Sequence, residues 1–288
     1  MRPPQRSLHA GRPPTARIAR RSMSRKACRN LINKHHQLEK RQRQAISQGD
    51  KETEAAISAA IADLGGLNRY QQASLQGQSN DRGGDTSKVL LEWLSVDMVK
   101  QAERRPRLLE VGSLSTRNAC SSSGHFEVVH IDLNSQEPGI LKQDFMERPL
   151  PERSAEKFDI ISLSLVLNFV PEAESRGRML LRTLSFLQQP TGAAQRIFSG
   201  LFPSLFVVLP RSCVDNSRYC TDSTLESLMR ALGYTLERIK KTQKLAYSLW
   251  VRSRVTAPVL HFAKHEVNPG RSRNNFAITL TSSDTKSQ

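Results

Sequence analysis

Two apolar runs, one ending on a glycine and the other on an acid twenty residues later, constrain this chain more than any other feature. Residues 108–132 read LLEVGSLSTRNACSSSGHFEVVHID. Leu108 and Leu109 lead through Glu110 and Val111 to Gly112; Val128, Val129 and Ile131 lead to Asp132. In an open sheet of parallel strands, ligands sit beyond the carboxyl ends of the strands. A glycine after the first strand lets the backbone approach a ligand, and an acid ending the second accepts both hydroxyls of a ribose. The spacing therefore predicts a nucleotide-type cofactor held at Gly112 and Asp132. A dinucleotide fingerprint needs further glycines where this loop has Ser113, Leu114 and Ser115, so a pyrophosphate is poorly served. A sulfonium cofactor has no pyrophosphate and suits the loop better.

The surrounding pattern supports the same frame. Strand-like runs are expected at about 107–111, 126–131, 158–163, 204–209, 235–240 and 275–280. Helical stripes are expected at 172–188 (Arg176, Met179, Leu180, Leu184, Leu187) and 222–232 (Leu225, Leu228, Met229, Leu232), the latter closed by Gly233. Alternation of strand and helix is the mark of an α/β fold, a mostly parallel sheet with helices on both faces. The connection 189–203 is long for such a fold and reads as an insertion. Upstream, Leu31, Ile32, His35 and Leu38, then Ala55, Ile57, Ala60, Ile61 and Leu64, recur at helical steps on either side of Gly49-Asp50, and Gly65-Gly66 stops the pattern. Asp85, Thr86 and Ser87 offer N-caps for a helix through Val89, Leu90, Trp93 and Val99. Three regions result: a disordered basic arm over 1–25, a helical region over 26–105, and the α/β domain over 106–282.

Charge separates the arm from the rest. The chain carries 43 Lys and Arg against 27 Asp and Glu, a net +16. Residues 1–43 hold thirteen of those cations and the single acid Glu39, hence +12 of the total. So concentrated a positive charge argues for a polyanionic partner, not for a fold. The arm is also Arg-rich, Ser-containing and acid-poor, as mitochondrial transit peptides are, although Pro3, Pro4, Pro13 and Pro14 oppose an amphipathic helix there. Cys28, Cys120, Cys213 and Cys220 show no paired spacing, which predicts neither a disulfide framework nor a metal site and makes a reducing compartment the default. The longest apolar run, 158–170, is broken by Asp159, Ser162, Ser164 and Asn168, so no membrane span is expected.

Loops at the strand ends supply the remaining candidates. Asp144, just before Phe145, is a second acid placed to meet a cofactor; the bland alternative is a solvated carboxylate. In FDIISLSLVLNFVPEAESRGRML (158–180) the segment from Ser164 to Asn168 should face the cofactor's reactive group. Asn168 offers an amide for a base edge and Phe169 a ring for stacking. After the 204–209 strand, Pro210, Asn216, Ser217, Arg218 and Tyr219 fall where a substrate would approach. No His/Asp/Ser trio offers nucleophilic catalysis.

Taken together, LGGLNRYQQASLQGQ, RGGDTSKVLLEWL, LLEVGSLS, HIDLNSQEPGILKQDFMERPLP, the 158–180 segment and LPRSCVDNSRY resemble the fungal nucleolar 25S rRNA adenine-N1 methyltransferase family, over roughly residues 26–280. The resemblance implies a Rossmann-like class I methyltransferase fold and S-adenosylmethionine as cofactor, with Gly112 and Asp132, and by position Asp144, binding it. It further implies large-subunit ribosomal RNA or a pre-ribosome as partner, no membrane or metal partner, and a nucleolar location, with the mitochondrion as the alternative suggested by the arm. The family is also similar to an animal S-adenosylmethionine sensor, so a non-catalytic sensor is the rival expectation. The basic arm favours the RNA enzyme, because a sensor needs no polyanion footprint.

Overall fold

Leu108 and Leu109 are neighbours in sequence but face opposite sides of the central sheet, and that alternation organises the fold. In the computed structural model of the protein, residues 25–66, 69, 85–94, 104–135, 137–190, 200–253 and 261–281 are described. The arm before residue 25, nearly all of 67–84, the helix continuation toward Val99 and most of the 189–203 connection lie outside them. The chain divides into two units, Met1–Gly84 and Asp85–Gln288.

In the first unit, α1 (Arg25–Gln48) and α2 (Lys51–Asp63) pack together. Gly49, at φ +69°, makes the left-handed turn between them, and the Asp50 carboxylate caps α2 by accepting from Thr53 N (3.0 Å). Ala45 and Ile57 are buried, and Gln42 donates to Ser58 Oγ (2.8 Å) across the pair.

The second unit is a seven-stranded sheet in the order β3-β2-β1-β4-β5-β7-β6. Its strands are β1 (Arg107–Val111), β2 (Glu127–Asp132), β3 (Ile140–Lys142), β4 (Ile160–Ser164), β5 (Ser204–Pro210), β6 (Tyr234–Lys241) and β7 (Leu245–Arg252). β3, β2, β1, β4 and β5 pair in parallel, and only β7 runs against its neighbours. The order reverses at β1, so the carboxyl ends of β1 and β4 open the crevice where ligands of such sheets bind. One face buries Leu109, Val111, Ile131, Ile161, Leu163, Leu205 and Val207 against α5 (Ala173–Phe186) and α7 (Asp222–Ala231), the short α6 (Ser212–Asp215) coming between them in the chain. The other buries Leu108, Ile160, Phe206, Val208 and Leu249 with Leu90 and Leu94, at the end of α3 (Ser87–Trp93). Burial on both faces explains why the parallel strands read as continuous apolar runs. A mostly parallel sheet covered on both sides and closed by one antiparallel strand is the class I methyltransferase architecture.

One expected element is corrected. Residues 275–280 do not form a strand; their one ladder contact is an isolated bridge from Leu280 to Phe262. The antiparallel strand is Leu245–Arg252, joined to β6 by a tight turn. Phe276, Ala277 and Leu280 are buried because the segment is laid across α5, not because it pairs in the sheet. No helix among the described residues is long and apolar enough to cross a membrane.

Candidate active site

The loop after β1 is built on a carboxylate and an imidazole that meet across the two strands beneath it. Glu110 and His130 are register partners on β1 and β2, and His130 Nδ1 stands 2.8 Å from Glu110 Oε2. That carboxylate also accepts from Asn118 Nδ2 (2.7 Å) and Ser113 Oγ (3.2 Å). The imidazole bonds Ser113 Oγ (2.9 Å) through Nδ1 and Ser121 Oγ (3.1 Å) through Nε2. Asn118 Oδ1 caps the short helix α4 (Ala119–Ser122) through Ser121 N, and Asp85 Oδ2 accepts from Ala119 N (2.9 Å) while its Oδ1 accepts from Ser87 N (3.0 Å). These bonds tie the polar groups under the loop to one another and brace its backbone.

Gly112 is where that backbone requires glycine. Its φ is +72°, its N–H and that of Ser113 both donate to Ile131 O (2.8 and 3.0 Å), and a Cβ at this position would stand 2.8 Å from Val166 Cγ2. The loop after β4 therefore closes directly over the bare turn. Asp132, the last residue of β2, is half-buried; burial raises its pKa, opposed by the hydrogen bond its Oδ1 accepts from Asn134 N (2.8 Å). Gln143 N donates to Asp132 O (2.9 Å), which sets Asp144 beside Asp132 at the next strand end, where its Oδ1 accepts from Met146 N (2.7 Å). Phe145 turns inward and packs on Phe186 at 5.3 Å, so it belongs to the core. The three sequence candidates Gly112, Asp132 and Asp144 thus meet at the carboxyl ends of three adjacent strands.

The loop after β4 begins with strain. Leu165 has φ +58°, the only non-glycine residue in the left-handed region among the described residues, a conformation costing about 1–3 kcal/mol and found at functional sites. Three residues on, the Oδ1 of Asn168 is buried with no hydrogen-bond partner among the described residues. A buried carbonyl without a donor costs about 1–3 kcal/mol, so the position is held by something other than its own bonding. Arg176 on α5 does the holding. Its guanidinium donates to Leu167 O (3.1 Å), Val170 O (2.9 Å), Pro171 O (3.2 Å) and Ala277 O (2.7 Å), and lies over the Phe276 ring at 4.5 Å. Phe169 is half-buried, its N–H turned to Val166 O (2.9 Å).

The candidates after β5 lie at the same end of the sheet but are engaged with the C-terminal segment. Ser217 is buried and donates to Phe276 O (2.5 Å), Asn216 O accepts from Asn274 N (3.0 Å), and Arg218 Nε donates to Gly270 O (2.9 Å). A cleft of about 850 Å³ is at the opposite end of the strands, lined by Arg104, Arg107, Glu127 and Asp159 among others. Arg104 grips Asp159 with two bonds (2.7 and 2.9 Å) and Arg107 pairs with Glu127, so these four charges are spent on one another. Burial pushes the Cys120 and Cys213 thiols up to about 12, which leaves them no thiolate for nucleophilic work.

Sequence reasoning passed over Glu110, His130 and the role of Arg176, and gave Asp85 only as an N-cap. Their common mark was present: each is a polar residue inside or capping an apolar pattern. The register that pairs Glu110 with His130 is visible only in the folded sheet. Replacing His130 by alanine is expected to cost about 1–3 kcal/mol of stability, because it removes a buried partner from both Glu110 and Ser113. Thermal unfolding checks this; an unchanged midpoint would mean that the network does not brace the loop.

Comparison with known proteins follows the same geography. Residues 55–278 match the model of the family described as Bmt2, 25S rRNA (adenine(2142)-N(1))-methyltransferase. A 25S rRNA (adenine(2142)-N(1))-methyltransferase of Saccharomyces cerevisiae is 43% identical over 228 residues, covering 78% of this chain and 63% of that protein. The chain thus spans less than two thirds of the length of that relative. A 25S rRNA adenine-N(1) methyltransferase of Schizosaccharomyces pombe is 37% identical over 253 residues, covering 86% of this chain and 89% of that protein. Among solved structures, an O-methyltransferase from neocarzinostatin biosynthesis, in complex with S-adenosyl-L-homocysteine and 1,4-dihydroxy-2-naphthoic acid, is similar with a TM-score of 0.47 at 11% identity, over 77% of this chain and 70% of that one.

Proposed function

The chain belongs to the Bmt2 family of 25S rRNA (adenine(2142)-N(1))-methyltransferases, and on that premise we propose that it methylates N1 of an adenine in large-subunit ribosomal RNA, using S-adenosylmethionine. When bound, that cofactor supplies a methyl group on a sulfonium. The residues present fit it. The turn at Gly112, bare of a side chain at φ +72°, lets a ligand approach its backbone, and the half-buried Asp132 carboxylate at the end of β2 suits a ribose diol. Asp144, at the neighbouring strand end, is assigned to the same cofactor.

The observation that carries the reading is the buried, unpartnered Oδ1 of Asn168, on the loop whose Val166 closes over Gly112. A side-chain amide matches adenine: its oxygen accepts from the N6 amino group and its NH2 donates to N7, which leaves N1 free. N1 holds a lone pair in the neutral base, so no residue is needed to remove a proton before transfer. The work of this chain is then to orient the base, exclude water and tolerate the positive charge that the ring acquires. Because N1 is engaged in pairing within a duplex, the target adenine must be unpaired or flipped out. Phe169 is the candidate stacking surface. The arm over 1–25 supplies phosphate contacts and thus affinity without sequence choice, and an rRNA target supports a nucleolar site of action on pre-ribosomes.

Asn168→Ala is expected to cut single-turnover methyl transfer by about tenfold to a hundredfold, the worth of one or two bonds to the base, with cofactor affinity and melting temperature nearly unchanged. A parallel fall in all three would make Asn168 structural. The function is tested by reverse transcription of rRNA from cells lacking the protein. A termination site caused by 1-methyladenosine should disappear and return on re-expression, and a stop pattern indifferent to the protein would refute the proposal.

A further inference from the structure

Resting on the reading of this chain as an RNA-modifying enzyme, we propose that the turn around Gly270, together with Arg218 and Lys264, is a docking surface for the phosphate backbone of single-stranded RNA flanking the target base. Cations converge on this turn. Gly270 has φ +146°; Arg218 Nε donates to its carbonyl (2.9 Å), as does Arg273 N (3.4 Å). The Arg273 side chain folds back until its Cγ, Cδ and Nε lie 3.6 Å from where a Cβ on Gly270 would stand. Arg271 is exposed between them, and the Lys264 ammonium sits over the Tyr219 ring at 4.0 Å.

None of Arg218, Lys264, Arg271 and Arg273 forms an ion pair among the described residues, and the one acid in this stretch, Glu266, is exposed. Three other surface cations of the same unit do have counter-charges: Arg211 with Asp215 (2.5 Å), Arg230 with Glu226 (2.6 Å), Lys241 with both Asp215 and Asp222 (2.6 and 2.5 Å). Holding like charges together without a counter-charge is unfavourable for the isolated protein, and a polyanion relieves it by releasing its own counterions.

Position selects the polyanion. The segment bearing these cations is bonded to the loop after β5 through Ser217 Oγ to Phe276 O and Asn274 N to Asn216 O, and to the loop of Asn168 through Arg176 to Ala277 O. The surface therefore adjoins the place where an unpaired adenine would enter, and a base held there carries phosphates on both sides. Backbone contacts of this kind fix register and orientation, while the base pocket makes the choice.

The test compares the full chain with its Lys264→Ala/Arg271→Ala/Arg273→Ala variant. The probe is an adenine-containing single-stranded RNA oligonucleotide, titrated at several salt concentrations by fluorescence anisotropy. Loss of three phosphate contacts should lower the slope of log affinity against log salt by about 2, with at least about tenfold weaker binding at low salt and unchanged S-adenosylmethionine affinity and melting temperature. An unchanged slope would overturn the surface, and so would a fall in cofactor affinity or melting temperature equal to that in RNA affinity. Retained RNA binding with lost binding of polyglutamate would assign the surface to an acidic protein and overturn it too. The wild-type protein separates the two ideas. If it neither binds nor methylates RNA, the functional reading fails; if it does both and the variant binds with the same slope, only the surface fails.

Discussion

Arginine at position 112 is expected to weaken S-adenosylmethionine binding by roughly a hundredfold or more, a loss of about 2.7 kcal/mol or greater, while the sheet stays folded. Two costs act together. The backbone at Gly112 is left-handed, at φ +72°, which costs a side-chain-bearing residue about 1–3 kcal/mol. A Cβ there would also stand 2.8 Å from Val166 Cγ2, so any side chain must displace Val166 and with it the loop of Asn168. Alanine at the same position should show the backbone and Cβ part alone and fall between the two. Calorimetric titration with the cofactor, alongside circular dichroism, reads both quantities. Near-wild-type affinity in the arginine variant would move the cofactor away from this turn.

Gly177→Ala is expected to be among the most destabilising single-methyl changes in the second unit. In helix α5 a Cβ at this position would meet the Thr279 carbonyl oxygen at 1.8 Å, Thr279 C at 2.9 Å and Leu280 Cδ2 at 2.9 Å. Backbone cannot yield as a flexible side chain does, so the C-terminal segment must lift from the helix. Thr279 N donates to Ala173 O (3.0 Å) and Arg176 to Ala277 O (2.7 Å), and both bonds would be strained or lost. Overpacking of this kind costs about 1–3 kcal/mol, and each kcal/mol lowers the melting temperature of a unit this size by roughly 2–4 °C. The same lifting frees the loop of Asn168, so methyl transfer should fall further than stability alone explains. A melting temperature within a degree or so of wild type would show that the segment is not clamped there.

These two glycines also show what the sequence made legible. Gly112 was readable because it ends an apolar run and is followed at a fixed distance by an acid, a pattern with a mechanism behind it. Gly177 was not, because a glycine inside a helix is silent about what passes over it until the tertiary structure is known. The fully buried strands announced themselves as continuous apolar runs, as in SLFVVLP (204–210), whereas β3, of three residues, is too short to carry a pattern. β7 was missed for a local reason. The turn before it, Thr242-Gln243-Lys244, has none of the glycine, asparagine or proline that mark hairpins. Its geometry is made instead by the Thr242 hydroxyl, which accepts from Leu245 N (3.0 Å) while Thr242 N donates to Leu245 O (2.8 Å). Apolar residues at 275–280 predict burial, and burial is what they have; pairing is a separate property that hydrophobicity does not specify. At the site, Asn168 stood out as an amide on the right loop, but the isolation of its Oδ1, which is what makes it informative, exists only in three dimensions.

In the proposed reaction an unpaired adenine is brought to the Gly112 and Asp132 cradle and methylated at N1. The most direct test incubates the purified full chain with S-adenosylmethionine carrying a labelled methyl group and large-subunit rRNA transcript, followed by nucleoside mass spectrometry. The expected result is label in 1-methyladenosine, confined to one site in the transcript, absent with the Gly112→Arg variant, and absent when the target adenosine is replaced by its 1-deaza analogue. Saturable cofactor binding with no label in the RNA would contradict it and point to a sensor, and label surviving the 1-deaza replacement would contradict the assignment of N1 as the nucleophile.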